Sequence, residues 1–78
     1  MPKLPICSGD VAVRCFERMG YRVVRQEGSH IRLRHPANPS RQPLTVPRHK
    51  ELGKVLLRKL LRDARMSVEE FEQVLKGR

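Results

Sequence analysis

Aromatic residues are scarce in this 78-residue chain, which has no Trp, one Tyr and two Phe. An exposed row of rings for stacking single-stranded bases is therefore not expected, and the core has to be built from Leu, Val and Ile. Cysteine is equally thin. Cys7 and Cys15 are too few for a disulfide scaffold, and their spacing matches no zinc ligand pair. The three histidines have no carboxylate at ligand spacing, so no metal and no cofactor is expected. No apolar run approaches the roughly 18 residues of a membrane span, and no apolar signal segment opens the chain. These absences predict one small soluble cytoplasmic domain over residues 1–78, burying only ~60% of its unfolded surface. Acidic residues are the last shortage. Eight Asp and Glu face seventeen Lys and Arg, a formal charge of +9, which predicts a polyanionic partner, with nucleic acid ahead of an acidic protein or an anionic membrane surface.

Periodicity supplies the elements. A leader from Met1 to Cys7, holding Pro2 and Pro5, reads as extended. Ser8 is placed as an N-cap, with Asp10 favouring the positive end of the helix dipole. Val11, Ala12, Cys15, Phe16 and Met19 form the apolar stripe of that helix, Arg14, Glu17 and Arg18 face water, and Gly20 ends it. Tyr21 to Glu27 reads as a strand with apolar residues on both faces, so its inward side is ambiguous. A third strand is expected from Gln42 to Val46, with Leu44 and Val46 inward, Thr45 outward and Pro47 closing it. Val55 to Ala64 is a leucine-rich helix whose other face carries Lys54, Arg58, Lys59 and Arg62. Ser67-Val68-Glu69-Glu70 is a capping box, with Met66 and Phe71 as its hydrophobic staple. The order is α-β-β-β-α-α, an α+β fold with a three-stranded antiparallel sheet packed on helices.

The organising stretch is Gly28-Ser29-His30, a tight turn into a second strand that runs to about His35. Alternation puts Ile31 and Leu33 on one face, and His30, Arg32 and Arg34 on the other. An imidazole thus stands on a cationic sheet face. His35, before Pro36, falls on the opposite face and reads as structural, while His49 reads equally as a site residue or as cover for the sheet edge.

The ordered set of Ser8-Gly9, Met19-Gly20-Tyr21, Gly28-Ser29-His30, His35-Pro36, Val46-Pro47, His49 and the leucine-rich helix before Ser67 resembles the HicA toxins of bacterial toxin-antitoxin pairs. The similarity runs from about Leu4 to Leu75. It implies a fold like the double-stranded RNA-binding domain and activity as an mRNA interferase, an endoribonuclease that cleaves mRNA. It also implies that His30 is the residue needed for cleavage and that a HicB-type antitoxin covers the active face. Two positions depart from the family pattern. Val55 and Arg65 stand where glycine is frequent, and Arg65 is the harder to accommodate, because a helix end that needs positive φ is strained by a side chain.

Cleaving RNA without a metal requires a proton taken from a 2′-hydroxyl, a proton given to the leaving 5′-oxygen, and positive charge on the phosphate. Imidazole can serve in either proton role near neutral pH. His30 is therefore the expected general acid or base, and Ser29, Arg32, Arg34, Lys50, Arg58 and Lys59 are the expected RNA contacts, the last three reaching in from the second helix and its approach. Two readings compete: a double-stranded RNA-binding module without catalysis, and a basic protein that docks an acidic partner. Neither needs a titratable ring at the turn.

Overall fold

The computed structural model describes residues 4–77. The leader is thus seen only from Leu4, and Pro2 lies outside the described residues. Six elements follow in the expected order: α1 Gly9–Arg18, β1 Arg22–Glu27, β2 His30–Arg34, β3 Leu44–Pro47, α2 Lys54–Ala64 and α3 Val68–Leu75. The strands form one antiparallel meander, β1-β2-β3, in an α+β fold of double-stranded RNA-binding type.

The sheet has two unlike faces because β2 and β3 alternate. Ile31, Leu33, Leu44 and Val46 are buried under the helices, while His30, Arg32, Arg34 and Thr45 point away from them. Helix α1 packs on the sheet and on α3, and α2 packs on β3. The few aromatic rings are all spent inside. Phe16 lies edge-on to Tyr21, with centroids 5.8 Å apart, and stacks at a tilt on Phe71 at 5.6 Å.

Helix α1 opens with Ser8, whose hydroxyl accepts from the Val11 N–H at 3.1 Å. Its buried stripe differs from the expected one: Val13 is buried and Val11 only half-buried. The reason is Gly9, which packs so closely on the Pro47 carbonyl that a side chain there would collide, turning the helix toward β3. Gly20 does close the helix, with φ at +104°. The Tyr21 and Gly20 N–H groups donate back to the Phe16 and Glu17 carbonyls, so Tyr21 belongs to this cap and β1 starts one residue later than the alternation suggested. β3 is likewise shifted. It runs from Leu44 through Pro47, and Gln42 instead donates its N–H to the Asp63 carbonyl at the end of α2.

Arg65 ends α2 in the left-handed region, at φ 55° and ψ 44°, the only non-glycine residue with positive φ among those described. Met66 and Arg65 donate to Leu61 and Arg62 in the same pattern that closes α1. The capping box of α3 is complete, the Ser67 hydroxyl accepting from the Glu70 N–H at 3.0 Å and the Glu70 carboxylate from the Ser67 N–H at 2.9 Å. No helix among the described residues is long and apolar enough to cross a membrane.

Candidate active face

The β1–β2 connection has two residues, since Glu27 and His30 pair directly. Gly28 has φ +57° and Ser29 has not, which fits a type II′ turn and excludes type I′. The Ser29 carbonyl accepts from the Arg48 N–H at 2.7 Å, tying the turn to the end of β3. His30 is therefore held by neighbours on both sides, opposite Glu27 in β1 and Pro47 in β3, with its ring on the exposed face.

Strand β1 contains a feature that alternation could not show. Its pairing with β2 slips between Val23 and Arg25, so Val24 is an extra residue bulged from the ladder. Counted from the turn, Glu27 pairs with His30 and Arg25 with Arg32 on the outer face. Beyond the bulge the parity switches, so that Val23 pairs with Leu33 and Arg22 with Arg34, where an unbroken strand would have put Val23 opposite Arg34. This resolves the ambiguity of β1. All six of its residues stay exposed, and Arg22, Arg25 and Glu27 join the face of His30, Arg32 and Arg34.

Polar contacts order this face. The Arg32 Nη1 donates to the Thr45 hydroxyl at 2.9 Å, which aims the rest of the guanidinium fork outward beside His30. Arg25 Nε lies 3.0 Å from the Glu27 carboxylate, and both side chains are about two-thirds exposed. Such a pair is worth little and opens readily to a stronger anion. Arg25, Glu27, His30, Arg32 and Thr45 together line a shallow groove of about 170 Å³.

The predicted contacts divide between two layers. Ser29, Arg32 and Arg34 lie with His30, and Lys50 is exposed on the segment that the Arg48 to Ser29 bond holds at the turn end of the sheet. Arg58 and Lys59 do not join them. Helix α2 packs against the other face of the sheet, so Arg58 lines a groove with Ser67 and Val68 at the start of α3, and Lys59 pairs with Asp63 at 3.4 Å. Helical periodicity placed these cations on one side of α2, but which side of the sheet received the helix was a tertiary choice. Arg22, Arg25 and Thr45 escaped the sequence reading, Arg25 because its face follows from the hairpin register and Arg22 because the bulge reverses the alternation before it.

The other histidines are engaged by backbone. His35 Nδ1 accepts from the Asn38 N–H at 3.1 Å and its Nε2–H donates to the Met19 carbonyl at 3.0 Å, with the ring edge-on to Tyr21. The His49 carbonyl accepts from the Gly9 N–H at 2.9 Å, while its ring remains exposed. Cys7 and Cys15 are free and buried, and burial pushes both thiols above their ordinary pKa, which keeps them protonated and unreactive.

A family model described as the HicA toxin of bacterial toxin-antitoxin matches residues 9–66. The chain belongs to the HicA toxin family. The matched span of this HicA-family chain runs from the N-terminus of α1 to the residue after Arg65, and takes in the whole sheet with the Gly28-Ser29-His30 turn. No curated protein matches it.

Proposed function

We propose that this HicA-family toxin is a metal-independent endoribonuclease that cleaves mRNA and is neutralised by a HicB-type antitoxin. The observation that carries the reading is the position of His30: an exposed imidazole, fixed between two strands, on a face bearing Arg22, Arg25, Arg32 and Arg34. The forks of Arg25 and Arg32, which line the His30 groove, hold the reacting phosphate and take up charge as it becomes more anionic, while the imidazole moves a proton at an RNA oxygen. When the 2′-oxygen attacks phosphorus, the bond to the 5′-oxygen breaks, and His30 either takes the 2′-hydroxyl proton or gives one to the departing 5′-oxygen. A HicB-type partner would act by covering this face, and an acidic one would be drawn to it quickly.

The test is cleavage of a mixed-sequence RNA by wild type and His30→Ala, each with and without EDTA, beside binding to the same RNA. General acid–base catalysis contributes ~100-fold to 10,000-fold, so His30→Ala should cleave slower by about that factor and still bind. EDTA should change neither rate. Wild-type protein that binds RNA duplex and leaves it intact would instead make the chain a non-catalytic binding module.

A further inference from the structure

The groove at His30 is the first of three that join along the outer face of the sheet. Its neighbour, about 290 Å³, shares Arg25 and Arg32 with it and adds Val24 and Arg34. Val24 and Arg34 in turn border a cleft of about 360 Å³ at the far end of the strands, walled by Arg22, Arg41, Pro36, Pro39 and Pro43. From His30 to Arg34 the track covers about 13 Å, the length of roughly four stacked nucleotides and fewer when the chain is extended.

We propose that the far cleft is a nucleotide-binding subsite for single-stranded RNA whose scissile phosphate lies at His30. The inference rests on the ribonuclease reading above and adds where the flanking substrate goes. Its three guanidinium groups are unemployed in the fold. Arg18 donates to the Val74 carbonyl, Arg65 to the Ser40 carbonyl and Arg48 to Asp10, whereas the guanidinium groups of Arg22, Arg34 and Arg41 hydrogen-bond to no protein group among the described residues. No carboxylate lines the cleft to repel a phosphate.

The wall is also prebuilt. The loop between β2 and β3 is pinned by His35 to Asn38, by Arg65 to the Ser40 carbonyl, by Tyr21 to the Gln42 carbonyl at 2.8 Å, and by Gln42 to the Asp63 carbonyl. Three proline rings are thereby held against a row of cations, an apolar slot with a charged rim. A nucleotide offers the matching pair, a flat base for the slot and for guanidinium planes, and a phosphate for the rim. A paired duplex keeps its bases inside, so an unpaired strand is the occupant that fits.

The test is fluorescence anisotropy with labelled single-stranded RNA, using His30→Ala protein so that nothing is cut. Arg22→Ala/Arg41→Ala should weaken binding of a decanucleotide by about a hundredfold, about tenfold for each charged contact. It should lower the salt slope of log K by about 1.4 and leave the affinity for a dinucleotide unchanged. Arg14→Ala/Lys76→Ala removes the same charge from the helical layer and should shift binding by about twofold or less. With His30 restored, the cleft variant should raise KM for the decanucleotide several-fold more than the Arg14→Ala/Lys76→Ala control. If the alanine pair fails to fold by circular dichroism, Arg22→Gln/Arg41→Gln takes its place with the same expectation.

Equal losses in the cleft and control variants, or for the two RNA lengths, would overturn the proposal. So would intact RNA binding combined with lost antitoxin binding, which would give the cleft to the protein partner. Failure of the ribonuclease reading shows separately, as absent cleavage or as His30→Ala cutting at the wild-type rate.

Discussion

His30 opens β2 and His35 follows its last residue, and their neighbours give them opposite employment. His30 keeps its ring in solvent on the cationic face, while His35 uses both ring nitrogens to join the end of α1 to the β2–β3 loop. Gly20 makes that possible, because a Cβ there would lie 2.6 Å from His35 Nε2. His35→Ala should therefore destabilise the fold by about 2 kcal/mol through two lost hydrogen bonds and an emptied contact with Tyr21, read as a lowered urea midpoint with little change in m. Tyr21 beside it titrates at high pH. Burial raises its phenol above the usual 10.0. Below the unfolded value the phenol is protonated in both states and its contribution is complete. As pH climbs from there through the folded value, the unfolded chain ionises first and stability is lost. Melting curves from about pH 8 to about pH 11 should fall more steeply for wild type than for Tyr21→Phe, and the raised thiols, present in both, cancel in the comparison.

Two elements end in the same hydrogen-bond pattern with different residues at the left-handed position. α1 uses Gly20, and α2 uses Arg65. A side chain at positive φ costs about 1 kcal/mol, partly offset here by the bond from Arg65 Nε to the Ser40 carbonyl at 3.2 Å. That bond is exposed and replaceable by water, so Arg65→Gly should stabilise the protein by up to ~1 kcal/mol, a rise in Tm of about 4–8 °C. An unchanged or lowered Tm would show that the Ser40 contact outweighs the strain. Val55, at the other departure from the family pattern, is 85% exposed in the first turn of α2 and touches nothing that the site uses. β1 owes the far end of its cationic row to a defect. Without the bulge at Val24, Val23 rather than Arg22 would lie opposite Arg34, and the row of cations would stop short of the β2–β3 loop.

Across the whole molecule the two layers divide the work. Helices and the inner sheet face hold the apolar core, and the outer face collects arginines around one imidazole, with Glu27 the carboxylate among them. Five arginines along this face, counting Arg41 of the loop, predict that log K for single-stranded RNA falls against log salt with a slope of about −3.5. A flat salt response would mean that the face does not hold phosphates. The same exposure predicts competition. An antitoxin that neutralises by covering His30 must displace RNA, so added antitoxin should release labelled RNA from His30→Ala protein stoichiometrically. A stable ternary complex would place the antitoxin elsewhere.

Local chemistry determined much of this protein from the sequence by itself. Ser8, Gly20, the Gly28-Ser29 turn and the Ser67–Glu70 capping box act over three or four residues, so each start and stop could be read without knowing the rest of the chain. The parity of β2, unbroken from His30 to Arg34, likewise put the imidazole and two arginines on one face in advance. What only the tertiary structure decided were relations between elements. Register slips in β1, the close approach of Gly9 to Pro47 and the side of the sheet that α2 covers depend on contacts between residues far apart in sequence, and no local preference encodes them. That is why Arg22 joined the outer face unannounced, and why Arg58 and Lys59, correctly placed on the basic side of their helix, ended on the opposite layer from His30.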